Sequence, residues 1–237
     1  SGSKVSDDAL DKLESSVKKF SEVKNANYSA DMDMTVDKEN AKIKLYGGFI
    51  SETKKPLQLS MIMHMEASGQ KLEKYMQLFV KDDTMYLNMM DMMKQKTSLK
   101  DAMGTASIPN VNFDADTFKM NKEDMKKFLK EASVKGNDLK LSFDVEKLNE
   151  ETKKETEKNN VTDANVEFKK LDMDVTLNND FMEKAVITME MTNTKGETKQ
   201  EMNGPISLTV KDINKVSSID FPDIGVFYDK KLLCYID

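Results

Sequence analysis

Residues 57–65 read Leu-Gln-Leu-Ser-Met-Ile-Met-His-Met, and this stretch decides the fold. Apolar side chains recur at every second position, which is the period of a β-strand with one buried face. Pro56 precedes the stretch, and Ser68-Gly69 follows it as a hairpin turn that leads into a return strand over residues 73–80. The segment therefore predicts two neighbouring antiparallel strands.

The same alternation recurs in other parts of the chain. One group of alternating segments contains the first stretch together with residues 28–36 and 85–89. A second group, later in the chain, contains residues 171–177 and 206–210. Short turns rich in Asn, Asp and Gly separate these segments, which is typical of antiparallel meanders. Gly47-Gly48 interrupts the pattern and predicts a bulge or bend. The sequence thus predicts two meanders.

Three segments have the 3.6-residue period of helices. Residues 7–23 form an amphipathic stripe, with Ser6 as the N-cap and Asn25-Ala26-Asn27 as the end. Residues 122–133 follow Asn121 as a second N-cap, and residues 145–158 predict a charged, solvated helix. Residues 90–120 show no period and predict an irregular segment.

These elements predict an α+β fold with an antiparallel sheet. We expect residues 1–6 to be an N-terminal tether and residues 7–237 to be a single domain. Ser1-Gly2-Ser3-Lys4 resembles the small polar residues that follow the lipid-bearing cysteine of bacterial lipoproteins, and a tag remnant is the alternative.

The charge and cysteine content exclude several classes of protein. The net charge is −6, and every one of the 36 basic residues is Lys. Without Arg or Trp the chain lacks the usual means of reading bases and phosphates, so we expect no nucleic-acid partner. Cys234 is the only cysteine, which leaves no disulfide framework.

Candidate catalytic residues are few. His64 is the only histidine, and alternation puts it on the strand face opposite Met63 and Met65. The sequence has no nucleophile elbow, zinc-protease motif or phosphate-binding loop. We therefore predict a protein that is not an enzyme and has no cofactor and no metal.

The 19 methionines are the unusual feature, because many occupy the apolar side of predicted strands. Methionine is flexible and adapts to variable apolar partners. The sequence leaves two interpretations of these methionines: they form an ordinary packed core, or they line an adaptable hydrophobic cavity. Copper is a third hypothesis, because the segments 61–65 and 89–93 offer thioethers that suit Cu(I). In the first segment, however, His64 lies opposite its neighbouring methionines and could share an ion with them only at a bulge.

The order of elements, together with residues 27–34 and 83–88 and the final 219–222 segment, resembles the bacterial lipoprotein-carrier superfamily, with its LolA/LolB and LppX/LprG-like members. More narrowly, it is similar to Gram-positive surface lipoproteins of unknown function. The resemblance implies a strongly curved antiparallel sheet, an incomplete β-barrel, with helices on its concave face and an apolar cavity between them. The Arg that latches the lid of LolA-type carriers has no counterpart here.

The resemblance also implies a function. We expect an extracytoplasmic protein of the cell envelope, held at the membrane by an N-terminal lipid anchor, that binds or carries a lipid or other apolar small molecule. The alternative is a cell-surface interaction or sensor-type domain with a filled core. In this hypothesis the predicted helix over residues 122–133 acts as a plug or lid of the cavity, and residues 90–120 form its mobile rim. The predicted ligand-binding residues are Met32, Met34, Met61, Met63, Met65, Met125, Phe128, Leu129, Met173, Met189 and Met191.

Overall fold

The computed structural model describes residues 4–105, 121–158 and 164–229, and all structural statements concern these residues. The helices are α1 (Asp7–Ser21), α2 (Leu99–Thr105), α3 (Lys122–Phe128) and α4 (Val145–Lys158). The strands are β1 (Asn25–Val36), β2 (Glu39–Ile50), β3 (Gln58–Ala67), β4 (Gln70–Lys81), β5 (Thr84–Met89), β6 (Met93–Ser98), β7 (Leu129–Lys135), β8 (Asp138–Phe143), β9 (Ala164–Asn178), β10 (Phe181–Lys195), β11 (Thr198–Lys211) and β12 (Tyr228–Asp229).

The strands form one sheet in the order β12-β6-β5-β4-β3-β2-β1-β11-β10-β9-β8-β7. Pairs such as β3–β4 and β9–β10 are antiparallel, whereas the short β12 lies parallel to β6. β12 and β7 stand at opposite ends of this order, so the sheet is open. The predicted α+β class with an unclosed antiparallel sheet is confirmed. Ser68 and Gly69, both with positive φ, make the predicted turn between β3 and β4.

The chain divides into two compact units that interleave along the sequence. Unit 1 comprises residues 1–22, 31–42 and 118–209, and unit 2 comprises residues 23–30, 43–117 and 210–237. The single domain expected for residues 7–237 stays a prediction. Of the predicted tether, residues 1–3 lie outside the described part, and Val5 pairs in parallel with Ala132 of β7.

The core of unit 1 lies between α1 and the end of the sheet formed by β7 to β10. Leu10 of α1 is 1% exposed and Leu139 of β8 is 0% exposed. Fully burying one such side chain contributes about 1.5–3 kcal/mol. The predicted N-cap of α1 is confirmed, because the Ser6 hydroxyl accepts a hydrogen bond from the backbone N–H of Ala9 at 3.0 Å.

The helix predicted over residues 122–133 is wrong beyond Phe128. Asn121 caps α3 as predicted, but β7 begins at Leu129 and pairs with β8. Leu129 and Ala132 are three residues apart and both buried, which imitates a helical stripe. A shift in the β7–β8 register between Leu129 and Glu131 produces this spacing within a strand.

Two further predictions are corrected. Asn25-Ala26-Asn27 does not end α1, because the helix already stops at Ser21. These three residues begin β1 instead. Asn25 is buried there, and its side-chain oxygen accepts a hydrogen bond from the backbone N–H of Val216. Part of the predicted irregular segment is regular, since residues 93–105 form β6 and α2. β6 is rich in Lys and Gln and shows no apolar period, so only its pairing with β5 reveals it. Residues 106–120 and Cys234 lie outside the described residues.

The core of unit 2 contains Phe79 of β4, Tyr86 of β5 and Phe227 near the C-terminus. The ring of Phe227 packs edge-on against Tyr86 at a centroid distance of 5.4 Å. Phe221 packs in the same manner against Phe79 at 6.4 Å. The segment from Phe221 to Phe227 therefore covers one face of β4 and β5.

Candidate functional site

Strands β3 to β6 of unit 2 carry methionines on the face opposite the one that Phe221 and Phe227 cover. Met63 of β3 pairs with Met76 of β4, Met76 pairs with Met89 of β5, and Met89 pairs with Met93 of β6. Because paired residues in antiparallel strands share a face, these four side chains form one line across the sheet. We call Met63, Met76, Met89 and Met93 the methionine row.

The surroundings of the methionine row are apolar on β3 to β5. The neighbouring line across the same face consists of Met61, Leu78 and Leu87, and it ends in the polar Gln95 on β6. Met63, Met76 and Met89 are half-buried, and Met93 is 36% exposed. The row is therefore neither sealed in a core nor fully solvated.

Unit 1 has its own methionine-bearing face on β9, β10 and β11. Met189 of β10 pairs with Leu171, and Met191 pairs with Phe168 on one side and with Met202 on the other. Alternation places these side chains on the same face as the buried Ala185. Met189, Met191 and Met202 are half-buried, as in unit 2.

Met34 lies at the edge of this face. It is 5% exposed, and its sulfur atom would stand 3.0 Å from a Cβ atom placed on Gly204. Gly204 also has a φ of 155°, in the region where L-amino acids are strained. The glycine thus leaves the space that the Met34 side chain fills, which makes this end of the face densely packed.

The predicted ligand-binding residues fall into three groups. Met125 and Leu129 are buried in the core of unit 1 with Leu10, and Met173 packs against that core. The half-buried residues are Met32, Met61, Met63, Met65, Phe128, Met189 and Met191. Met34 is buried beside Gly204. The assignment of these residues to a ligand stays a prediction.

Sequence reasoning missed Met76 and Met202, which lie on the same faces, and it named Met89 only in the copper hypothesis. The signal was present for Met76, because Met76, Leu78 and Val80 alternate within β4. It was absent for the row as a whole, since the register between strands brings these residues together and no spacing within one segment encodes that register.

Unit 2 also contains a cleft of about 700 Å³ on a different surface. Its lining includes Tyr28, Tyr46 and Ser60 on the strands and Lys211, Lys215 and Asp220 on the segment after β11. The Tyr28 hydroxyl donates a hydrogen bond to the Ser60 carbonyl oxygen at 2.7 Å, and burial raises the pKa of Tyr28 to about 12. None of the predicted methionines lines this cleft.

The glycine pair of β2 shapes the cleft. A Cβ atom on Gly47 would overlap the Ser60 carbonyl oxygen, and one on Gly48 would lie 3.3 Å from Ile219. Gly47-Gly48 therefore marks a close approach of neighbouring backbone. The sequence predicted a bulge or bend at this pair and did not predict the cleft.

The described residues show no arrangement that resembles a catalytic site. His64 is half-buried, its Nδ1 atom accepts a hydrogen bond from the backbone N–H of Lys74 at 2.8 Å, and its ring lies 5.6 Å from that of Tyr46. No group of three or more His, Cys, Asp or Glu side chains in the described ranges could hold a metal ion. Among the same residues no helix has the length and apolar character that crossing a bilayer requires.

The fold and its surfaces define an α+β protein with an open antiparallel sheet and half-buried methionine faces. The chain belongs to the family of unknown function DUF6612, which matches residues 8–224. A search of curated proteins gave no match.

Two solved structures show a likeness to this chain. The crystal structure of LprF from Mycobacterium bovis is 9% identical, with 93% of this chain and 99% of that chain covered and a TM-score of 0.42. The complex of MucA and MucB from Pseudomonas aeruginosa is 8% identical, with 86% and 94% covered and a TM-score of 0.17. Neither carries an argument about a ligand.

Proposed function

We propose that this protein is an extracytoplasmic lipoprotein of the cell envelope that binds an acyl chain or similar apolar ligand against its methionine faces. The observation that carries the proposal is the partial burial of these faces in both units. Met63, Met76 and Met89 keep part of their surface in contact with solvent, although Phe79 and Tyr86 on the other face are sealed.

The energetics favour such a ligand. Half-buried apolar side chains leave surface that is exposed to water, and covering it is favourable. Each methylene group of an acyl chain that becomes buried contributes about 0.8 kcal/mol. Methionine can follow ligands of different shape because its side chain is unbranched and flexible. The methionine faces are therefore suited to apolar guests of variable length, and the protein acts by binding rather than by catalysis.

The experiment has two parts. Native mass spectrometry of protein purified from its own cells is expected to show bound lipid, and a fluorescent fatty acid is expected to bind to the protein after delipidation. Met63→Gln in unit 2 and Met189→Gln in unit 1 replace a half-buried thioether by a polar amide of similar length. Substitution at a position that contacts the ligand should weaken fatty-acid binding by a factor of about ten, since burying an unpaired amide costs about 1–3 kcal/mol.

The matched control is Met92→Gln. Met92 is 83% exposed, so this variant changes the same side chain outside the proposed faces. Its affinity for the fatty acid should equal that of the unsubstituted protein. If neither face variant weakens binding more than Met92→Gln does, or if no lipid binds at all, the proposal fails.

A second function is favoured by the exposed apolar residues of unit 2. Met90, Met92 and Met103 are 42%, 83% and 41% exposed, and Val226 and Tyr228 are 45% and 64% exposed. Exposed methionines are common on surfaces that bind proteins. These residues favour a cell-surface protein-interaction role for the turn between β5 and β6 and for β12.

The two functions are separable by experiment. Met90→Ser combined with Met92→Ser should abolish capture of a partner from envelope extracts and leave fatty-acid binding unchanged. Met63→Gln should weaken fatty-acid binding and leave capture of the partner unchanged. If capture survives the double substitution, the exposed methionines are not a partner surface.

A further inference from the structure

We infer that the methionine row of unit 2 is a thioether site for a soft monovalent metal ion, with Cu(I) as the ion that it selects. The site goes beyond the proposed lipid-binding function and does not depend on it. Its basis is the register of four adjacent strands, which aligns Met63, Met76, Met89 and Met93.

The geometry allows a shared ion. Side chains directly opposite each other in antiparallel strands have Cβ atoms about 4.5–5.5 Å apart. Met76 is the central member, because it is paired with Met63 on one side and with Met89 on the other. Because methionine side chains are unbranched and flexible, we infer that rotation allows three sulfur atoms to converge above Met76. Met93, next to Met89, offers a fourth sulfur.

The chemistry of the ligands determines which ion is bound. Thioethers are soft and uncharged, so they select Cu(I) over harder divalent ions. Alongside the row lie the apolar Leu78 and Leu87 and the uncharged Gln95, so none of these paired residues offers a competing carboxylate. A monovalent ion also needs less charge compensation than Zn²⁺ or Cu²⁺ in such surroundings.

The structure removes His64 from this site. The sequence left open a shared Met–His site at a bulge, and the β3–β4 register does shift between Met63 and Met65. The His64 ring nevertheless lies beside Tyr46, and its Nδ1 atom is occupied by the backbone N–H of Lys74. The site therefore consists of thioethers only.

Partial burial suits an ion that must enter from solvent. Met90 and Met92, in the turn between β5 and β6, are 42% and 83% exposed and stand next to Met89 and Met93 in the chain. The turn thus places further thioethers at the solvent end of the row. Cu(I) could pass from an exposed sulfur to the half-buried ones without leaving soft ligands.

The test is an anaerobic titration of the purified protein with Cu(I) in competition with bicinchoninate, repeated with Ag(I) as a redox-inert probe. We expect one ion per chain, bound more tightly than about one micromolar, and a loss of about tenfold or more in affinity in Met76→Leu and in Met89→Leu. Leucine conserves volume and apolar character, so these variants should keep their fold.

The matched control is Met85→Leu. Met85 lies on the same face of β5, but its paired neighbours are Val80 and Thr97 rather than methionines. Its affinity for Cu(I) should be unchanged. Binding weaker than micromolar overturns the proposal, as does equal binding in Met76→Leu and the unsubstituted protein. An equal loss in Met85→Leu also overturns it, because it would mean diffuse binding by exposed thioethers. Urea unfolding of each variant verifies the fold, and the lipid proposal stands or falls separately.

Discussion

The hydroxyl group of Tyr28 donates a hydrogen bond to the backbone carbonyl oxygen of Ser60 across 2.7 Å, in the half-buried wall of the cleft in unit 2. The two residues lie 32 positions apart in the chain, on β1 and β3. Gly47 of β2 makes this contact possible, because its missing side chain leaves the Ser60 oxygen accessible. The bond therefore reports on the packing of three strands at once.

Tyr28→Phe should lower the free energy of unfolding by about 1 kcal/mol, because one buried hydrogen bond is lost and its acceptor is left without this partner. Urea denaturation measures the change. Tyr228→Phe is the control, since Tyr228 is 64% exposed and should shift the free energy by less than about 0.5 kcal/mol. Equal shifts in the two variants would contradict the role of the Tyr28 bond.

The stability of the protein should fall at alkaline pH because of Tyr28. Burial raises the pKa of Tyr28 from 10.0 to about 12, so the folded state favours the neutral phenol. This contribution is fully present below pH 10 and is lost as the pH rises through about 12. Ultraviolet titration of the phenolate should show a late-titrating group that Tyr28→Phe removes. The prediction fails if the late group persists in that variant.

Gly47→Ala should be severely destabilising. The new Cβ atom would overlap the Ser60 carbonyl oxygen, which is backbone and cannot rotate away. We expect a loss of about 2–4 kcal/mol, at or above the usual range for overpacking. Gly69→Ala is the control, since its Cβ atom would meet nothing within 4 Å and only the positive φ costs about 1 kcal/mol. Thermal denaturation should rank the two variants in this order.

Asn25→Ala should loosen the segment that follows β11. The Asn25 side-chain oxygen accepts the Val216 N–H at 2.7 Å, and its backbone oxygen accepts the Asn214 N–H at 2.8 Å. Without the side chain, the Val216 N–H loses its partner at a cost of about 1–3 kcal/mol. Hydrogen exchange should accelerate at Val216. Asn40→Ala, which removes an exposed hydrogen bond to Asp33, should leave exchange there unchanged.

Leu139→Ala should destabilise unit 1 by about 2–5 kcal/mol, because Leu139 is 0% exposed and its removal leaves a cavity. It also tests whether residues 7–237 are one cooperative domain. The chain has no Trp, and its described tyrosines all lie in unit 2. Tyrosine fluorescence therefore follows unit 2, whereas circular dichroism follows the whole chain. In a single cooperative domain, both signals should show the same lowered midpoint. A fluorescence midpoint that stays unchanged would mean that the two units unfold independently.

Much of the fold was predictable from local patterns. The alternation of Leu59, Met61 and Met63 specified β3, and the stripe of Leu10 and Leu13 together with the Ser6 cap specified α1. These signals are local, because the period of side-chain directions follows from the backbone geometry of each element. Residues 129–135 misled the helix prediction, because a register shift gave a strand the spacing of a helix.

The candidate sites were less predictable. The sequence identified methionine as the unusual residue, but it selected Met61, Met63 and Met65 along one strand. The methionine row runs across the strands instead, and it includes Met76 and Met89. The cleft was not predicted, because the sequence indicated only a bulge or bend at Gly47-Gly48.

The sequence by itself determined most of the strands, the two longer helices α1 and α4, and the faces of those strands that carry methionine. Hydrophobic periodicity encodes these features because each side chain's direction depends only on its own segment. Only the tertiary structure decided that Met63, Met76, Met89 and Met93 share one line and that Gly47 admits the Tyr28–Ser60 bond. Both depend on the register between strands, which is fixed by packing between segments distant in the chain.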